Sequence, residues 1–480
     1  MLFNSLEFLV FLPIVFLLYW FVFRKHQWQN LLVVVASYVF YGWWDWRFLI
    51  LIAITSLSSF TSGLLIERFE GQRNRQRWVS AANIVLNVAI LGAFKYFNFF
   101  VENFERLVGS WGWQLDCVTM QIILPVGISF YTFQALSYSI DVYQKRLPAT
   151  HNAVEFFAYI SFFPQLVAGP IERATNLLPQ FQRQRQFDYG MAVDGCRQML
   201  WGFFKKLVIA DNCAVVVNEY WNDYAQLPGT ALILLAVLFT IQIYCDFSGY
   251  SDIAIGCARL FDFNLMRNFD NPYFSRSMPE FWRRWHISLI SWFRDYIYIP
   301  LGGNRGKQWK TIRNIYIVWA ISGLWHGANW TFICWGLYHG TLLAIYNLLG
   351  IKGKAQDSLS SQRLFPGFKA LGQMTLTFAL ATIGWVIFRA ESLTQAADFF
   401  SALMTNRFYD PSMTRGITIA AAGFVLLFIE WLQRDKQHAL QFTGRKPFNH
   451  AIVRWGIYYL LLLLINKYSS EGQTFIYFQF

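Results

Sequence analysis

The segment "AISGLWHGANW", residues 320–330, holds one titratable side chain, His326, among apolar and small residues. Burial disfavours the imidazolium, so an imidazole in such surroundings is a neutral base at pH 7. If a helix starts near Arg313, His326 lies thirteen residues along it, about 20 Å down the axis and well inside a hydrocarbon layer of about 30 Å. Ionisable groups at that depth face a cavity or a partner and mark function by default. Gly323 and Gly327 flank the imidazole, and their missing side chains let backbone or substrate come close. This arrangement suits a general base. The competing reading is a structural histidine bonded to a carbonyl.

Four of the other histidines, His26, His151, His438 and His450, lie in short polar connections and read as solvated or headgroup-facing. His286 in "RRWHISL" and His339 in "GLYHGT" remain. On a continuous helix His339 stands about 140° around the axis from His326, which favours a structural role. It is nevertheless kept, with Trp325 and Asn329, among the residues that could touch substrate. Two carboxylates, Asp246 and Asp252 in "YCDFSGYSDIAIG", sit near the end of an apolar run. They can orient a histidine or an arginine, or cap the next helix.

Residues 258–313 are basic and aromatic together and too polar to span. Within them "SMPE" is a capping box, with Ser277 accepting from the amide three residues on, Glu280 reaching back, and Pro279 in the first turn. The spacing predicts one helix after it. Phe281, Trp285, Leu289, Trp292, Tyr296 and Ile299 share one side and Arg283, Arg284 and Arg294 the other, as in an amphipathic helix at the cytoplasmic interface.

The composition supplies the frame. With 55% hydrophobic, 19% aromatic and 14% charged residues in 480, the chain reads as a membrane protein. The net charge of +12 comes from short basic clusters between apolar runs, the positive-inside pattern, rather than from a nucleic-acid surface. Cys117, Cys196, Cys213, Cys245, Cys257 and Cys334 form no CxxC pair and read as free thiols, with no metal site. The apolar run at 8–23 is followed by "RKHQ", which suits a retained span better than a cleaved leader. Candidate spans are 5–23, 29–44, 48–66, 78–96, 119–140, 154–170, 195–217, 231–257, 312–330, 331–349, 370–389, 416–432 and 452–467, giving about ten to thirteen crossings, some re-entrant. The basic loops at 24–30, 67–77 and 143–146 face the cytoplasm and the acidic 97–118 loop faces out, so the N-terminus is outside. No repeat or soluble domain interrupts the pattern, so residues 1–480 read as one membrane domain, with the interfacial region at 258–313 and the histidine helices at 312–349. GxSxG, Walker, GxGxxG and HExxH motifs are absent.

"DFSGYSDIAIG", "NFDNPYFSRSMPEFWRRWHISLISWFRDYIYIPLGGNRG" and "SGLWHGANWTFICWGLYHG" resemble, in order, the motifs of the membrane-bound O-acyltransferase family and most of all its alginate O-acetylase branch. "ASYVFYGWWDWRFL", "LPVGISFYTFQALSYSIDVY", "FFPQLVAGPIER" and "IGWVIFRAESL" extend the likeness. The resemblance implies an all-α polytopic fold, a ring of helices around a thinned centre with a tunnel. It also implies that His326 is catalytic and His286 the second histidine tied to activity. The terminal "FIYFQF" resembles the aromatic tail of small partner peptides of the related D-alanyl transferase.

The function expected from the resemblance is transfer of an acetyl group from cytoplasmic acetyl-CoA, with no tightly bound cofactor, to an extracytoplasmic polysaccharide. The acceptor hydroxyl belongs to the sugar or to a periplasmic SGNH-type partner. The setting is a bacterial inner membrane. Arg283, Arg284 and Arg294 would attract the donor's phosphates, or else only lipid headgroups. Two alternatives stand beside it: a carrier-protein-dependent D-alanyl transferase acting on teichoic acid or another glycan, and a lipid-linked glycan transporter with His326 as proton relay.

Overall fold

The computed structural model describes residues 1–113, 124–167, 169–351, 365–408, 414–442 and 450–469, together with 448, 473, 475 and 476. Asp116, Cys117, the start of the 119–140 span and the last four residues of "FIYFQF" lie outside the described residues. Among the described residues every regular element is helical, because a helix in lipid must satisfy its own backbone. His26–Arg68, Arg73–Lys95, Gly229–Arg259, Phe368–Arg389 and Arg415–Leu432 are long and apolar enough to cross a membrane. The chain is an all-α, multi-pass membrane protein.

Its contacts group into two units, residues 1–193 with 257–266, and residues 194–256 with 267–480. The first holds α1 (Leu6–Leu17), α2 (His26–Asp45), α3 (Leu49–Arg68), α4 (Arg73–Lys95), α5 (Phe97–Gly109), α6 (Ile128–Tyr143), α7 (Ala153–Ser161), α8 (Phe163–Leu166) and α9 (Ala174–Gln182). Asp45 takes an extended backbone (φ −159°) and accepts from the Arg47 N–H, dividing residues 26–68 into two helices of 20 residues each. The 154–170 span is also divided, at Phe162. Pro164 has no N–H to give to α7, and its ring would strike the carbonyl four residues back.

The second unit holds most of α10 (Tyr189–Phe203), a π-helical stretch at Phe204–Ala210, α11 (Asp211–Tyr220), most of α12 (Gly229–Arg259), α13 (Met278–Arg284), α14 (Ile287–Phe293), α15 (Gln308–His326), α16 (Trp330–Leu348), α17 (Phe368–Arg389), α18 (Leu393–Thr405), α19 (Thr414–Leu432) and α20 (Ala451–Tyr468). The single amphipathic helix expected from 281 to 299 is not formed. α13 stops at Arg284, Trp285 is extended, His286 is left-handed at φ +45°, ψ +52°, and α14 begins at Ile287. The three- and four-residue spacing of rings runs on across the break, which hides it. Trp285 and Leu289 are buried, but Ile299 is 54% exposed and leaves the apolar side.

α15 begins at Gln308, five residues before Arg313, and His326 is its last residue. Gly327 is extended, Asn329 caps α16, and the two helices form a tight hairpin. A Cβ at Gly323 would strike the Phe332 carbonyl, and one at Gly336 the Trp319 carbonyl. Both obstacles are backbone, so neither can yield locally. Gly336→Ala is therefore expected to destabilise the hairpin by about 1–3 kcal/mol, read as a lower melting temperature of the detergent-solubilised protein. An unchanged melting temperature would contradict the hairpin geometry.

Candidate active site

His326 is 5% exposed, and its ring centroid lies 4.9 Å from Trp325, 4.9 Å from Trp335 and 5.4 Å from Phe388. Trp325 is also 6.1 Å from His286, and Trp335 is 5.1 Å from His339. The three histidines kept from the sequence thus meet in one aromatic run, with Trp325 shared by the first pair and Trp335 by the second. The phase argument against His339 fails because the helix is interrupted at 327–329 and folds back. His339 is fully buried, and its Nδ1 accepts from the Trp282 Nε1–H at 3.3 Å. The space beside both glycines flanking His326 is taken by Phe332, its carbonyl at Gly323 and its ring at Gly327.

His286 is 1% exposed and sits edge-on to Phe247 at 4.6 Å. The break between α13 and α14 turns its ring inward. The start of α13 is fixed by the expected cap: Ser277 Oγ accepts from the Glu280 N–H, and Glu280 reaches back to the Arg276 N–H. His286 Nδ1 lies 3.0 Å from Asn268 Oδ1. Burial pushes this imidazole, which lies outside the candidate spans, down to about 3, so it is neutral.

Among the described residues Asp246 and Asp252 pair with lysines rather than with a histidine or an arginine. Asp246 is 2.8 Å from Lys206 Nζ, and Asp252 is 2.5 Å from Lys205 Nζ. Lys206 also meets Asp211 at 2.8 Å, and Lys205 meets Glu430 at 3.6 Å. These lysines, 2% and 3% exposed, were missed in the sequence. Their signal was two adjacent cations in the apolar run "GFFKKLVIA". The start of "FIYFQF" docks beside them: the Ile476 N–H donates to Asp246 at 2.8 Å, and the Phe475 ring lies tilted 4.6 Å from Tyr250.

The basic cluster separates. Arg284 is held by Glu280 at 3.0 Å and by Asp270, which ties α13 to the preceding loop. Arg294 pairs with Asp295 at 2.7 Å. Arg283 and Arg294 flank an open groove of about 1070 Å³ lined by Trp282, Ile287, Ile290, Ile315 and Val318. The Asn329 side chain is occupied, accepting from the Thr331 N–H and donating to the Glu391 carbonyl. Cys196, Cys213, Cys245 and Cys334 are free thiols.

Comparison with known proteins identifies the family. The family profile described as MBOAT, membrane-bound O-acyltransferase family, matches residues 38–350. A Pseudomonas aeruginosa protein named "Probable alginate O-acetylase AlgI" is 43% identical over 408 residues, 84% of this chain and 75% of that protein. A "Peptidoglycan O-acetyltransferase" of Helicobacter pylori is 34% identical, covering 100% of this chain and 98% of that one. A Bacillus subtilis "Teichoic acid D-alanyltransferase" is 27% identical over 56% of this chain and 70% of its own length. The histidine-bearing helices fall inside the matched residues, and the chain belongs to the membrane-bound O-acyltransferase family as a membrane-embedded acyltransferase.

Proposed function

We propose that the protein is an O-acetyltransferase that carries an acetyl group from cytoplasmic acetyl-CoA through a bacterial inner membrane to a hydroxyl of an envelope polysaccharide. The observation that carries this reading is His326, a buried imidazole at the end of α15, closed in by Trp325, Trp335 and Phe388 and sharing Trp325 with His286. The relatives named for alginate and for peptidoglycan O-acetylation support the acetyl group and the glycan acceptor.

In the proposed step His326 takes the proton of the attacking hydroxyl, whose oxygen adds to the thioester carbonyl. The tetrahedral intermediate collapses with cleavage of the C–S bond. The imidazolium returns its proton to the departing thiolate, leaving a thiol and an ester. His286, across Trp325, is the second participating imidazole. The acceptor hydroxyl belongs to the sugar or to the serine of a periplasmic SGNH-type partner. Arg283 attracts the donor's phosphates, whereas Arg284 and Arg294 are already engaged by carboxylates.

The test uses sealed inverted membrane vesicles supplied with radiolabelled acetyl-CoA and no carrier protein. Base-labile label on the lumenal glycan is expected. Label that appears only when an acyl-loaded carrier protein replaces acetyl-CoA would overturn the donor and favour the carrier-dependent alternative.

A further inference from the structure

Asn268 is fully buried and lies eighteen residues before His286 in sequence. Its Oδ1 is 3.0 Å from His286 Nδ1, 3.0 Å from Ser288 Oγ and 3.4 Å from the Ser288 backbone nitrogen. Its Nδ2 is 3.2 Å from Ser251 Oγ, and its own carbonyl accepts from the Ile287 N–H at 2.9 Å. A backbone N–H can only donate, so the amide atom facing Ser288 is the oxygen. The same oxygen faces His286, so Nδ1 of that ring carries a hydrogen.

We infer that Asn268 is a positioning residue that fixes His286 as the Nδ1–H tautomer and presents its Nε2 lone pair to the reaction. This rests on the reading of His286 as a participant in acyl transfer. Which imidazole nitrogen bears the proton is set by the partner of the other nitrogen, and a neutral carbonyl fixes it without adding charge. A carboxylate at this position would also accept from Nδ1 but would favour the imidazolium, removing the Nε2 lone pair at moderately acid pH. The left-handed backbone of His286, a region in which histidine is more tolerated than most side chains, keeps the ring beside Asn268 rather than on a helix face. His339 is held in the opposite sense, since its Nδ1 accepts from Trp282. The two flanking imidazoles of the aromatic run are therefore opposite tautomers, with Nε2 an acceptor in His286 and a donor in His339.

The experiment measures transfer of label from radiolabelled acetyl-CoA to envelope glycan in membranes carrying the full chain at matched expression. Asn268→Ala is expected to lower the rate about 10- to 100-fold, the range that follows loss of a partner orienting a functional histidine. Asn268→Asp is expected to keep most of the activity at alkaline pH, with the acid limb of the rate–pH profile moved up by about one unit or more. Adding Asn268→Ala to His286→Ala should cost nothing further. A purely structural asparagine would give no shift in the profile. If His286→Ala abolishes transfer while the Asn268→Asp profile overlays the wild-type one, the tautomer assignment is overturned and the role of His286 stands. Full activity of His286→Ala would overturn both.

Discussion

Replacing His326 with alanine is expected to lower acetyl transfer by on the order of 10²–10⁴-fold at equal membrane expression. Without the imidazole nothing takes the proton of the attacking hydroxyl, and the oxygen adds to the thioester only as a weak neutral nucleophile. A large-to-small change between Trp325, Trp335 and Phe388 also leaves a cavity, so loss of activity from alanine alone would not separate chemistry from packing. His326→Gln makes the separation, because it fills similar space and retains hydrogen bonding but is not a base. Both variants should lose transfer, while the glutamine protein keeps a wild-type melting temperature. The readout is acetyl-ester content of the envelope glycans, measured beside total glycan exported. Unchanged esters in both variants would make His326 a structural histidine and move the assignment to His286.

The candidate site was legible where it depends on local residue type. A single imidazole in an apolar segment stands out however the chain folds, and His326 was read this way, whereas His286, in a basic and aromatic stretch, was tied to activity by the family resemblance. What depended on unbroken helical phase was misread. The ring spacing from Phe281 to Trp292 continues through the turn at His286, so periodicity could not reveal that the backbone stops there. The same assumption placed His339 on the wrong side of a helix that in fact ends at His326 and reverses. Through-space pairing was least visible. Asp252 and Lys205 are 47 positions apart in sequence, and Glu430 lies 178 positions beyond Asp252. No periodic pattern links them, so the carboxylates were assigned to the nearest candidates instead of to the lysines they meet.

Lys205→Met is expected to cost about 3–5 kcal/mol, the penalty for removing one partner of a buried pair, and so to remove most of the monodisperse protein recovered from detergent. Which carboxylate then causes the damage can be worked out from their remaining partners. Glu430 keeps the Tyr244 hydroxyl at 2.7 Å and the Trp201 indole N–H at 3.3 Å as donors. Asp252 keeps the Gln198 amide at 2.8 Å, and it was the closer of the two to the ammonium, 2.5 Å against 3.6 Å. Removing the cation therefore strands Asp252 more than Glu430. Lys205→Met with Asp252→Asn should recover more folded protein than Lys205→Met with Glu430→Gln, and size-exclusion profiles of the three proteins read the order directly. Equal recovery, or the reverse order, would contradict the pairing. Asp252 follows Ser251, whose hydroxyl accepts from Asn268, which in turn holds His286. The Lys205–Asp252 contact thus anchors the face of α12 on which the His286 support rests. The rescued double variant should transfer acetyl groups in proportion to its folded fraction, because the pair stabilises that face and takes no part in the proton transfer.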